Sequence, residues 1–401
     1  MPTRAPALAN TAVTHRSLAA AHARMAAHDD VILRTQIAIA QIAAPTGEEH
    51  IRAGWVARRF RDAALRSIHT DDAGNVIGRR DGVKDLPPVV ICAHLDTVFP
   101  RDTDLSIRRD GERLVGPGIN DNGRGLAVML ALAGEIDGVR LRSQRPIEFV
   151  ATTGEEGVGD LRGAKHYFSR RGRSAHAVLA LDGAGDERII HRALGSRRFR
   201  VSYAGPGGHS WSAFGSANAV HAAAAAAARL AVVPLPTSPR TTLSVGRIGG
   251  GLSVNSIPAA AWLEIDRRST CSILLDGLER SIRQIAHGAA DEENARRSAG
   301  TCALRVGIDV IGSRPCGETS SEHSLVQSAI EATRLIGRRP DLALASTDAN
   351  VPISQGIPAI AIGAGGRGGD AHTHAEWFDN LHGTRGVARA LTIVMTTAQL
   401  A

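Results

Sequence analysis

Three short, nearly continuous apolar runs, Pro88 to Ala93, Ile147 to Thr152 and Ala177 to Leu181, punctuate the first half of the chain, and a fourth, Pro358 to Ile362, stands near its end. Runs of this length read as strands covered on both faces. With helical patterns between them, Leu126 to Ile136 among them, they predict an α/β domain whose mostly parallel sheet is flanked by helices. In open sheets of this kind the functional crevice lies beyond the carboxyl ends of the strands. His94, Glu155, Asp182 and the loop Gly363 to His372 fall there, so four distant segments are predicted to converge.

From about Gly195 the pattern changes. Phe199, Val201 and Tyr203 alternate with polar residues, as half-buried strands do, and Thr241 to Ile248 and Ala260 to Arg268 are read as further strands of that kind. The alanine-rich stretch Ala219 to Ala231 predicts a packed helix, because alanine is the best helix former and Leu230 with the flanking valines supplies an apolar face. A second helix is predicted from about Leu275 to Ala289. These elements make a small α+β unit at residues 195–311, inserted into a larger domain formed by 1–194 and 312–401.

The length of 401 residues suits two domains, and 43% apolar residues are ample for their cores. Cys92, Cys271, Cys302 and Cys316 form no CxxC clip, which speaks against a disulfide framework or a thiolate zinc site and suits a reducing cytoplasm. No stretch is apolar enough to span a bilayer, and the residues before Asp29 lack the apolar core of a signal peptide, so no membrane association is expected. The formal charge of +7 comes almost wholly from dispersed arginines, Lys84 and Lys165 being the only lysines. Without a basic stripe and stacking aromatics, no nucleic-acid partner is expected.

The chemistry lies at the strand ends. Leu95 separates His94 from Asp96 just after a strand, and period-2 geometry throws both polar side chains to one side. A metal-bound imidazole commonly gives its second nitrogen to a carboxylate, a role that suits Asp96. Asp121 sits in the glycine-rich loop Gly116 to Gly123. It could cap the helix that follows, but the glycines allow close approach to a ligand and the site otherwise lacks a carboxylate to bridge two ions. Glu155 and Glu156 are adjacent, so their side chains diverge and one can bind a metal while the other takes a proton from a water. Asp182 precedes Gly183, where a simple turn is the alternative. Either His372 or His374 could coordinate. So many ionisable groups at the mouths of buried strands require positive charge between them, because desolvated, unpaired carboxylates are costly. A pair of divalent ions meets that need, and oxygen and imidazole ligands without thiolate suit zinc, manganese or cobalt.

In chain order, His94-Leu-Asp-Thr-Val, Gly118-Ile-Asn-Asp-Asn-Gly, Thr153-Gly-Glu-Glu-Gly, Leu181-Asp-Gly and Ala371-His-Thr-x-x-Glu-Trp resemble the motifs of the co-catalytic zinc exopeptidases and amidohydrolases. That family includes peptidase T, carboxypeptidase G, the aminoacylases and succinyl-diaminopimelate desuccinylase, and the resemblance runs from about Pro45 to the C-terminus. It implies that His94 and Asp182 hold one zinc ion, that Glu156 and His372 hold the other, that Asp121 bridges them and that Glu155 is the general acid/base. His372 is preferred to His374 because the family's ligand is followed four places later by a glutamate, here Glu376. Gly208-His209-Ser210 resembles a motif of the family's inserted domain whose histidine stabilises the oxyanion, often from the partner subunit of a dimer. Gly251 to Pro258 resembles the family's asparagine-bearing loop and Asp266 to Ser269 its Asp-x-Arg strand, so Asn255 and Arg268 would grip a substrate carboxylate. Arg267 and Arg268 point to opposite faces and only one can enter the cleft; Arg268 is the choice. Ser346 to Asn350 resembles a segment near the substrate site of peptidase-T-like members, or else a turn capping a helix. The resemblance thus implies a homodimeric exopeptidase of short peptides, its inserted domain serving as lid and dimerisation element. An N-acyl-amino-acid amidohydrolase or carbamoylase using the same site is the alternative.

Overall fold

The computed structural model describes residues 16–138, 141–171 and 175–401. Residues 1–15, part of the segment in which no signal peptide is expected, lie outside the described residues. The chain divides into two units, one running up to Ala193 and resuming over Glu318–Ala401, the other comprising Leu194–Gly317. No helix among the described residues is long and apolar enough to cross a membrane.

In the first unit the predicted apolar runs become the strands Ile147–Thr152, Val89–His94, Ala177–Leu181 and Ala359–Ile362, each buried along its whole length. They lie side by side in that order and all run parallel, so their carboxyl ends share one edge. A parallel sheet has to be covered on both faces. Helices Arg16–Ala27, Asp29–Ala40, Gly123–Gly138 and Gly383–Thr397 pack around Met25, Ile39, Leu126, Met129 and Val394 on one side. Leu161, Tyr167, Phe168 and Val351 form the core on the other.

The flanking strands escape the sequence pattern. The hairpin Arg66–Thr70 and Val76–Arg80 adds antiparallel pairs beside Ile147–Thr152, and Arg188–Ala193 pairs antiparallel with Ala359–Ile362 and parallel with Asp341–Ala345. Arginines at 66, 79, 80, 188 and 192 interrupt their apolar residues, because strands near the sheet edges need only part of their surface apolar.

Arg124, fully buried in the first turn of Gly123–Gly138, ties the neighbouring loop into this core. Its guanidinium donates to the carbonyls of Ala364 (2.8 Å) and Gly383 (3.1 Å) and lies over the ring of Phe378. Losing it would leave two buried carbonyls unpaired, at about 1–3 kcal/mol each.

The second unit is an antiparallel sheet in the order Thr242–Gly250, Ala260–Ser269, Gly195–Ala204, Arg305–Arg314. Phe199, Val201 and Tyr203 face Ala222, Ala226, Leu230, Ile282 and Ala286 of the helices Ala219–Ala231 and Ser272–Ala295. Asn218 caps the alanine-rich helix by accepting from the backbone N–H groups of Val220 and His221. The fourth strand, Arg305–Arg314, runs past residue 311, the boundary expected from the sequence. Its register shifts between Val310 and Gly312, so the apolar residues change face part-way along and the alternation is lost.

Candidate metal centre

Parallel pairing puts His94 level with Thr152 at the carboxyl edge of the sheet, next to the loops that follow. The imidazole of His94 is buried, with Nε2 3.0 Å from Asp121 Oδ1 and 4.0 Å from Asp182 Oδ1. His372 Nε2 lies 2.8 Å from Glu156 Oε1 and 3.2 Å from Asp121 Oδ2. Asp121 therefore turns one oxygen towards each imidazole. The ligand atoms of His94, Asp121 and Glu156 all lie within 4.8 Å of one another, a triad able to hold a metal ion. His372 reaches the cluster from a backbone with φ of 67°, a left-handed conformation that costs a non-glycine residue about 1–3 kcal/mol and is concentrated at functional sites. The ring of His374 packs instead near Phe99, 5.7 Å between centroids.

Asp96 does a second job beside the one its position after His94 suggested. His94 Nδ1 lies 3.1 Å from the carbonyl oxygen of Asp96 and 3.6 Å from its carboxylate, with which it forms an ion pair. That carboxylate, fully buried, accepts the backbone N–H groups of Glu155 and Glu156 at 2.9 Å each and the hydroxyl of Thr46 at 2.9 Å. It fixes where the two adjacent glutamates begin.

Three residues that sequence reasoning did not select complete the frame. Asn122 donates to the carbonyl of Leu181 and accepts from Gly183 N–H, bracketing Asp182. Asn120 accepts from Ala184 N–H at 2.7 Å. Glu376, wholly buried, accepts the backbone N–H groups of Gly118, Asn120 and Asp121 at 3.0, 2.8 and 2.7 Å. The two asparagines flank Asp121 in its motif, and Glu376 entered the sequence reading only as a marker for His372. Asp348 is a further buried carboxylate here, accepting from the Thr152 hydroxyl at 2.5 Å. Asn350 accepts from Thr347 N–H, so the segment Ser346 to Asn350 also makes the helix-opening turn anticipated for it.

The electrostatics ask for cations. Burial, and next to it the charge of Asp121, push Asp182 up to about 7 and raise Glu156 above the usual carboxylate range. Burial opposes the charged forms of His94 and Asp121 too. Hydrogen bonds to Asp121 and Asp96 still hold His94 well above the histidine norm, and those to His372 and His94 hold Asp121 below the usual carboxylate range. The hydrogen bond to Asp121 lifts His372 to about 9 against the opposing effect of its burial. Five carboxylates, those of Asp96, Asp121, Glu155, Glu156 and Asp182, surround two imidazoles, and a donor set of hard oxygens and imidazole nitrogens fits divalent cations between them.

The second unit carries the remaining candidates. Gly208–His209 pairs antiparallel with Ser256–Ile257, and Ser210 N–H donates to the carbonyl of Asn255, so His209 and Asn255 share one loop cluster. Arg267 is buried against Phe199 and ion-paired with Glu279 at 3.0 Å, while Arg268 on the opposite face is partly exposed and donates to Asp266 at 2.7 Å. Arg268 stands near the far end of Ala260–Ser269. About 26 Å of strand, at 3.3 Å per residue, separates it from Ala260, where the Asn255 loop joins.

Residues 90–397 match the family model described as Peptidase family M20/M25/M40. A probable carboxypeptidase of Aspergillus flavus is 26% identical over 252 residues, 57% of this chain and 58% of that protein. The chain thus spans about half the length of the curated relatives it matches. Among solved structures, aminopeptidase PepT from Bacillus cereus shares the fold at a TM-score of 0.73 and 23% identity, covering 92% of this chain and 98% of that one. YxeP of Bacillus subtilis, described as a dinuclear metal binding peptidase, does so at 0.63 and 14%, covering 94% and 99%.

Proposed function

Because the chain belongs to peptidase family M20/M25/M40 and is a metallohydrolase, we propose that it is an exopeptidase that releases amino acids from di- and tripeptides. The observation that carries a two-ion site is Asp121, which offers one oxygen towards His94 and the other towards His372. His94 and Asp182 would hold one ion and Glu156 and His372 the other, with Asp121 between them. Two divalent ions, zinc in this reading, supply Lewis acidity to the scissile carbonyl and the attacking water.

Glu155, buried and fixed at its backbone by Asp96, takes a proton from that water as the water oxygen bonds to the carbonyl carbon. The C–N bond then breaks and Glu155 returns the proton to the leaving amine. His209 donates to the oxyanion. Arg268 and Asn255 hold the peptide's free carboxylate. The four free cysteines suit a reducing compartment, the cytoplasm in this reading.

The sizes involved support a homodimer. An extended tripeptide reaches about 11 Å at most, far less than the strand between Arg268 and the His209–Asn255 cluster. In this reading Arg268 and the His209–Asn255 cluster reach one substrate from two chains related by a two-fold axis. The expected outcome is complementation: His209→Ala and Glu155→Gln chains, each inactive alone, regain about a quarter of full activity when mixed, since half of the dimers are mixed and carry one complete site. No recovery in demonstrably mixed dimers would place His209 and Glu155 in the same chain's site.

The function itself is tested by a panel of di- and tripeptides, N-acyl and N-carbamoyl amino acids offered to the zinc-, manganese- or cobalt-loaded protein and read by mass spectrometry. Amino acids released from peptides are expected, and the fragments show which end is cut. Turnover confined to acyl or carbamoyl substrates would replace the peptidase reading with an amidohydrolase.

A further inference from the structure

Glu376 lies outside the proposed ligand set, yet it joins the two loops that carry much of it. It opens the short strand Trp377–Asp379, which pairs on one side with Arg367–Gly369, leading to His372, and on the other with Arg113–Val115, leading to Asp121. Its backbone N–H donates to Thr373 and its carbonyl accepts from Gly116. Its carboxylate gathers three backbone N–H groups from a loop that makes no regular ladder of its own, Oε1 taking Asn120 and Asp121 and Oε2 taking Gly118, where φ is 68°. Nothing but a carboxylate satisfies this arrangement. A glutamine would turn an NH2 against at least one of the three donors, donor facing donor.

We propose that Glu376 is the positioning residue that sets Asp121 between the two imidazoles, so that its carboxylate governs the affinity for both ions at once. This rests on the reading of Asp121 as the bridging ligand. A ligand held by its own backbone N–H moves with whatever holds that N–H, and partners of this kind typically contribute 10–100-fold to metal affinity. His372 and Glu376 stand four residues apart, so a shift at one reaches the other through the turn between them. A ligand on one ion alone behaves differently, because its loss weakens only that ion.

The test compares the full-length wild type, Glu376→Gln and His372→Ala, each stripped with a chelator and titrated with zinc, with stoichiometry read by elemental analysis and melting followed with and without zinc. Glu376→Gln is expected to weaken uptake of both ions by about 10–100-fold, and its melting temperature should fall further in the zinc-loaded state than in the metal-free one. His372→Ala should retain one tightly held ion. Equal affinity in Glu376→Gln and wild type overturns the inference, as does an equal drop in melting temperature with and without zinc, which would make Glu376 a fold residue only. A wild type that takes up fewer than two ions overturns the two-ion reading and this inference together.

Discussion

Glutamine at position 155 should lower kcat by about 10²–10⁴-fold, the range general-base groups supply, while two ions remain bound. The substitution keeps the side chain's volume and leaves the backbone N–H of residue 155 on Asp96, so the frame around the site is undisturbed. What disappears is the capacity to hold a proton between the attack on the carbonyl and the departure of the amine. Steady-state kinetics on a cleaved peptide, with metal content measured on the same sample, separates the possibilities. Turnover near that of the wild type would remove Glu155 from the chemistry. Loss of an ion would make it a ligand.

Alanine at position 121 should be more damaging still. Asp121 lies within ion-pair distance of both His94 and His372, and its carboxylate balances both imidazoles. Its removal is expected to weaken metal uptake by more than about 100-fold, beyond the cost of losing a residue that merely supports a ligand, and to reduce hydrolysis to background. Circular dichroism should stay native, because the helix Gly123–Gly138 and the buried Arg124 hold the fold without this carboxylate. Two ions bound with wild-type affinity in Asp121→Ala would refute the bridging role.

The two substitutions fail in different ways, and that difference matters more than either loss of activity. Glu155→Gln should yield a loaded, inert protein and Asp121→Ala an unloaded one. Glu376→Gln should fall between them, folded and weakly loaded, with activity restored by excess metal.

Local pattern was enough for the frame of the first unit. An apolar run such as Val89–His94 has to be a strand buried on both faces, and the ladder places its last residue at the open edge, so His94 was legible before any fold was known. The same holds for Glu155, Asp182 and the loop to His372, and for the alternation of Phe199, Val201 and Tyr203. It failed for Arg188–Ala193, where arginines break the run, and for Arg305–Arg314, where a bulge moves the apolar residues from one face to the other.

What only the tertiary structure decided are the contacts between segments far apart in the chain. The carboxylate of Asp96 holds the backbone of residues 155 and 156 as well as standing by the neighbouring imidazole, Glu376 clamps a loop some 258 residues away, and Arg267 rather than Arg268 is the one buried beneath Phe199. Periodicity and turn chemistry act over a few residues and are written in the sequence as pattern. A hydrogen bond between loops depends on where both loops finish, and that is set by the order in which the strands pair. The amino-acid sequence alone thus determined which residues reach the carboxyl edge of the sheet, and the packed fold determined which of them touch.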